Sequence, residues 1–273
     1  KKNQIILKVK DKDSKIRNLV VRESWLLTTY DVGEVIHVVG ENPTVIDNDH
    51  NYLILNPDTL ISATTMGESL NCERKSSLLA RFNLLGESSK PLIVGNIVHG
   101  ILQECMVSKS NSSKFIETLL KSAIHRNLIE ILGIGETEQS IYEECQVHSG
   151  YIKDWVGKYI FDSDKSSIST FGKGETSKFS ISKTLDIEES IWSPIFGLRG
   201  LIDATIESSL QDSKKSGKFI APLEIKTGKE YLSHKAQTSL YTLLMRDRYE
   251  MDVNFFILVY TKFSQTTKYE IDR

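Results

Sequence analysis

The chain has 273 residues, 40% hydrophobic and 26% charged, the composition of an ordinary soluble globular protein. At roughly 150 residues per domain it holds one or two domains, and a chain this long buries a core without disulfide staples. The 34 Lys and Arg against 36 Asp and Glu leave a net charge of −2, which excludes a uniformly basic protein but not a local basic groove. No apolar run approaches the roughly 18 residues of a membrane helix, so no membrane partner is expected. Cys72, Cys105 and Cys145 lie far apart, which argues against a secreted disulfide framework and for a reducing compartment. The chain opens on Lys1-Lys2 without an initiator Met. It therefore reads as a stretch of a longer protein, in which missing targeting signals exclude nothing.

Residues 1–17 carry seven Lys and Arg against Asp11 and Asp13, a basic arm, a first strand or simply a solvated terminus. Short apolar runs follow at Leu19-Val20-Val21, Val35–Val39 and Tyr52–Leu55. They are separated by turn signals at Asp31-Val32-Gly33, Gly40-Glu41-Asn42-Pro43 and Asp47-Asn48-Asp49. This spacing predicts a small β-barrel over residues 1–56. An oligonucleotide-binding (OB-like) barrel and a purely structural one both fit, since no run of exposed aromatics marks a base-stacking face.

After Pro57 the period changes, and the second domain is expected over residues 57–273. Helical patterns cover Thr64–Phe82, Gly95–Val107, Phe115–Leu132 and Ile141–Ile160; Ile97, Val98, Ile101, Leu102, Cys105 and Met106 form the clearest stripe. Residues 162–178, rich in Ser, Thr, Gly and Lys, read as a loop. Strands follow at Leu198–Ser209, Phe219–Lys226 and Val253–Lys262, with a helix over Ser233–Arg248 between the last two. This is an α/β core.

The chemistry-bearing pattern lies in the strand pair. In Gly200–Ile206, alternation puts Ile202, Ala204 and Ile206 on one face and Asp203 on the other. In Ala221–Lys229, Glu224 and Lys226 share a face, about 6.6 Å apart along the strand. The polar turn Gln211–Gly217 joins the two as an antiparallel hairpin that brings Asp203 beside Glu224. Close carboxylates repel unless a cation joins them. Oxygen ligands suit Mg²⁺ or Mn²⁺, and such an ion makes a bound water nucleophilic. An exposed hairpin with Asp, Glu and Lys on its solvent face gives the same pattern. No Walker A sequence is present, so no nucleotide-driven motor is expected within this stretch.

Four short motifs occur in order: Gly95 to His99 on a helix, Gly200 to Asp203 on a strand, Glu224-Ile225-Lys226 on the next, and Gln237 to Tyr241 on a helix. Together they resemble the RecB-like branch of the PD-(D/E)xK nucleases. The stretches Asp186–Pro194, Phe196-Gly197-Leu198 and Pro222–Glu230 are similar to the nuclease domain of the eukaryotic nuclease–helicase, fungal type, that trims Okazaki-fragment flaps and resects DNA ends. The resemblance runs from about residue 19 to the end. It implies a restriction-endonuclease-like core and a Mg²⁺- or Mn²⁺-dependent DNA endonuclease acting on single strands or flaps. It implies Asp203, Glu224 and Lys226 as catalytic, and His99, Asp203, Glu224 and the Ile225 carbonyl as metal ligands. It places Gln237 and Tyr241 beside the site as DNA contacts or supports of Lys226. Lys229 and Lys235, near Lys226, read as either added phosphate contacts or ordinary solvated lysines.

The resemblance also implies a 4Fe–4S cluster in the intact protein, with Cys72 as first ligand. The other three cysteines are absent from this chain, whose last cysteine is Cys145. Cys105 and Cys145 fall on apolar helix faces and read as core. A C-terminal helicase domain, a single-strand DNA-binding protein partner and a nuclear location, with mitochondria as the alternative, are further expectations. From the residues alone, His99 is equally a core-edge histidine, Gln237 and Tyr241 ordinary positions of an amphipathic helix, and Cys72 a small apolar residue. The competing functional reading is a non-catalytic DNA- or partner-binding module on a nuclease fold.

Overall fold

The computed structural model describes residues 3–40, 44–82, 88–161, 166–174, 176–211 and 216–271. The expected turn at residues 41–43 and the tip of the hairpin at residues 212–215 lie outside them. The chain forms two compact units, residues 1–61 with 192–199, and residues 62–191 with 200–273.

In the first unit β1 (Gln4–Lys10) and β2 (Ile16–Arg22) form an antiparallel hairpin, so the basic segment is a strand pair. Its turn is held by Asp11, whose Oδ1 accepts the Asp13 and Lys15 N–H groups. β2 continues in parallel to β4 (Val45–Ile46), while β3 (Ile36–Val39) pairs antiparallel with β5 (Tyr52–Leu55). Leu19, Val21, Ile46 and Leu53 make one core, with Leu7, Trp25, Tyr30, Ile36, Val38 and Leu55 packed on it. Among the described residues these strands form a three-stranded and a two-stranded sheet.

The second unit begins at Ser62, within β6 (Ile61–Ser62). The Ser62 hydroxyl caps α1 (Ala63–Ser69) by accepting the Thr65 N–H. α2 (Glu73–Phe82), α3 (Lys90–Ser108), α4 (Ser113–Arg126), α5 (Leu128–Gly133) and α6 (Glu138–Val156) follow. Two expected helices are thus each broken in two. The chain leaves the first at Leu70–Cys72, and the second bends at Asn127, whose side-chain amide donates to the Ala123 carbonyl and competes with the helical ladder. α3 starts earlier than its apolar stripe, because Pro91 fits the first turn.

The remaining elements are β7 (Ser167–Thr170), β8 (Thr176–Ser193), β9 (Leu198–Gln211), β10 (Ser216–Lys226), α7 (Leu232–Tyr249), β11 (Phe255–Tyr260) and β12 (Gln265–Glu270). β7 and the first residues of β8 replace part of the expected loop. The long β8 and β12 went unread because their polar residues dilute the apolar alternation. The strand order is β10-β11-β12-β7-β8-β9-β6, and β9 also pairs with β10.

Alternation along β11 sends Phe255, Ile257 and Val259 into the core built by α3, α4 and α6, while Phe256, Leu258 and Tyr260 join Tyr269 on the other side. α7 lies on that second side, with His234 against the Tyr260 ring. A mixed sheet with helices on both faces is therefore the frame of the site.

Candidate active site

β9 and β10 run antiparallel, with Ala221 opposite Ile206 and Leu223 opposite Ala204. Continued by one position, this register sets Glu224 opposite Asp203. Ala204, Ile206, Ala221, Leu223 and Ile225 fill the helical core, so alternation turns Asp203, Thr205, Glu224 and Lys226 to the α7 side. The two carboxylates stand on one face of the sheet. Regular pairing stops at Leu223 and Ala204, and the Ile225 N–H donates to Asp203 Oδ2 at 2.7 Å. A side-chain oxygen has taken the place of a main-chain acceptor where the ladder ends.

Glu224 is 2% exposed. Its Oε1 accepts from Lys226 Nζ at 2.7 Å and from Gln237 Nε2 at 2.8 Å. Its Oε2 is buried with no hydrogen-bond partner among the described residues. Burial first, and the facing Asp203 second, push the Glu224 carboxyl up to about 7, against the pull of Lys226. Gln237 also donates to Tyr241 Oη at 2.7 Å and accepts from Lys226 at 3.4 Å. Gln237 and Tyr241, one helical turn apart, thus form a bracket around the Glu224–Lys226 pair.

From α3, His99 Nδ1 stands 3.5 Å from Asp203 Oδ2. The donors gathered here are two carboxylates and an imidazole, with the Ile225 main chain between them. That set suits a hard divalent cation. No group of three His, Cys, Asp or Glu side chains among the described residues forms a ready-made cage. Yet a buried carboxylate oxygen without a donor is costly unless something positive meets it. The bare Oε2, beside a second carboxylate, weighs more here, and the residues fit a metal ion.

The sequence missed several neighbours. Gln103, one turn beyond His99 on α3, is buried and donates to the Asp203 carbonyl at 3.0 Å and to Glu188 Oε1 at 2.6 Å. Glu189 is buried and accepts from the Thr205 and Tyr249 hydroxyls. His234 sits in the first turn of α7, held neutral because burial, and then Lys226, pull it down to about 4. Only the i, i+4 spacing of His99 and Gln103 could have been read in advance.

Lys235 is tied to Glu230 at 2.6 Å and lies 3.8 Å from the centroid of the Phe171 ring, so it does not stand as a free phosphate contact; Lys229 is exposed. Cys72 is exposed just before α2, whereas Cys105 and Cys145 are buried in the core, their thiols pushed up to about 12 by burial. The three do not make a four-thiolate site by themselves.

A carboxylate from one strand, Glu-x-Lys from the next and a Gln–Tyr bracket from the following helix define the PD-(D/E)xK class of site. The family described as "DNA replication factor Dna2" matches residues 10–208. The DNA replication ATP-dependent helicase/nuclease DNA2 of Saccharomyces cerevisiae is 36% identical over 97% of this chain and 19% of its own length. That of Schizosaccharomyces pombe is 34% identical over 90% of this chain and 18% of its own, and that of Homo sapiens 31% over 90% and 24%. The chain belongs to the Dna2 family, and it spans about a fifth of the length of the relatives it matches.

Proposed function

We propose that this chain is the nuclease portion of a larger nuclease–helicase and that it cleaves single-stranded or flap DNA in a divalent-metal-dependent reaction. One observation carries the reading: Asp203 and Glu224 face each other on the α7 side, with one Glu224 oxygen tied to Lys226 and the other bare. Asp203, Glu224, His99 and the Ile225 carbonyl would hold Mg²⁺ or Mn²⁺. The ion supplies an acidified water and charge stabilisation at the phosphate.

The protein groups have separate tasks. The Ile225 N–H holds the Asp203 carboxylate in place. Gln237, itself hydrogen-bonded to Tyr241, fixes both ends of the Glu224–Lys226 pair. Lys226 keeps its ammonium where it orients an attacking water or meets the charge of the pentavalent phosphate. Neutral His234 adds no positive charge that would compete with it.

The wider reading rests on the motif resemblance; the relatives, each named as a replication helicase/nuclease, support only DNA as substrate and a helicase elsewhere in the protein. It comprises flap removal during Okazaki-fragment maturation, DNA end resection, a helicase domain elsewhere in the protein, a single-strand DNA-binding partner and a nuclear location. Cys72, exposed and outside the core, would be one 4Fe–4S ligand, with three cysteines from beyond this stretch. The first unit would act as an OB-like barrel that binds DNA or braces the nuclease core. Its strands share one apolar cluster but form two separate small sheets, with no closed barrel among the described residues.

The test is cleavage of end-labelled single-stranded and flap DNA by this chain and by the longer protein, with Mg²⁺ or with chelator. Wild type should cut only with metal, and Glu224→Ala should lose cutting by at least ~100-fold, the scale of a lost catalytic group. Equal cutting by both, or binding without cutting by the longer wild-type protein, would reject the enzyme.

A further inference from the structure

α3 grips Asp203 at two points. His99 approaches the carboxylate, and four residues later Gln103 donates to the main-chain carbonyl of the same residue at 3.0 Å. The second contact reaches an irregular part of the sheet. β8 neighbours β9 on the side away from β10. Within β8, Glu188 has φ 51°, a left-handed step foreign to a regular strand and typical of a bulge-like kink. Gln103 meets both ends of the irregularity: its amide gives one hydrogen to the Asp203 carbonyl and the other to the Glu188 carboxylate at 2.6 Å. Gln103 is 7% exposed, and a buried side-chain amide is expensive unless its hydrogens are placed.

We propose that Gln103 is a positioning residue for the metal site: it ties the main chain of Asp203 to the kink at Glu188, so that the Asp203 carboxylate holds its direction toward Glu224 when the cation binds. This rests on the reading of Asp203 as a metal ligand. Residues that orient a ligand without touching the metal commonly matter about 10- to 100-fold in metal affinity or activity. His99 and Gln103 would then act from one helix face, one on the side chain and one on the backbone of the same aspartate.

The test uses the full-length protein with Gln103→Leu and Gln103→Met, two apolar replacements of similar size that remove both donors. Mn²⁺ affinity is read by electron paramagnetic resonance of the free ion, without DNA. Cleavage of labelled single-stranded DNA gives rate, DNA KM and Mg²⁺ half-saturation, and melting in EDTA reports the fold.

Mn²⁺ binding should weaken roughly tenfold or more and Mg²⁺ half-saturation should rise with it, while DNA KM stays near wild type. Adding Glu188→Ala to Gln103→Leu should cost little more than Gln103→Leu alone, because the two act through one link. Wild-type Mn²⁺ affinity in whichever variant stays folded, or a lower melting temperature with slower cleavage and unchanged Mg²⁺ half-saturation, overturns the proposal. Fully additive losses in the double variant overturn it as well. If wild type neither binds Mn²⁺ nor cuts DNA, the nuclease reading falls and takes this one with it. If wild type does both, Glu224→Ala does neither and the Gln103 variants match wild type, Gln103 alone loses its role.

Discussion

Glu224 is asked to be charged in a place that disfavours charge. Its folded carboxyl sits at about 7 where an unfolded one is near 4.5, through burial and the facing Asp203. Between those values the native state holds more protons than the unfolded chain. Stability therefore falls as pH rises through that window, and the cost is complete above pH 7. That cost is on the order of 3 kcal/mol. Glu224→Gln should accordingly raise the melting temperature by several degrees at pH 8 in EDTA and by little at pH 5, as read by thermal unfolding at both pH values. The variant should also gain less from Mn²⁺ than wild type does. Asp203→Ala should abolish the Mn²⁺-induced rise in melting temperature, since only binding to the native state adds stability; an undiminished rise would put the ion elsewhere. A stabilised but inactive Glu224→Gln protein is the usual signature of a group kept for function at the expense of stability.

The elements fix how closely those groups are held. α7 comes so near β9 that a Cβ at Gly200 would stand 2.6 Å from the Tyr241 ring and 3.1 Å from Leu244. The glycine of the Gly200 to Asp203 motif is thus there for contact, since it lets Tyr241 sit where Gln237 can use it. Gly200→Ala should destabilise by about 1–3 kcal/mol and slow cleavage by displacing Tyr241 and the Gln237 bracket; chemical denaturation with a parallel cleavage assay measures both. α1 is seated similarly, with a Cβ at Gly67 falling 2.6 Å from the Ser233 carbonyl of α7. At this scale the sequence was legible where periodicity was clean. The β9–β10 pair, α3, α7 and β11 could be read from apolar spacing. β8 could not, because the polar residues of this 18-residue strand dilute its apolar alternation. The breaks at Leu70–Cys72 and Asn127 were hidden because the apolar stripes continue across them.

For the whole molecule, the apolar cluster of the first unit is distinct from those that line the two sides of the sheet in the second. Ile46→Ala in the first should cost about 2–5 kcal/mol and appear as loss of amide-exchange protection in β2 and β4. With a net charge of −2, the DNA binding proposed for this chain would have to come from local groups rather than from its overall charge. If the exposed Cys72 is a cluster ligand as proposed, Cys72→Ser in the longer protein should remove the broad visible absorption of a 4Fe–4S cluster. Unchanged absorption would exclude Cys72 as a ligand.

The face shared by Asp203, Glu224 and Lys226 was determined by the sequence alone, because strand alternation is a local property that survives any packing. So was the order of the four motifs. The bare Oε2 of Glu224, the bracket closed by Tyr241 over Gly200, and the grip of Gln103 on a carbonyl 100 residues away were decided by tertiary structure. Each depends on how helices from distant parts of the chain lie against one sheet, and no local period records that.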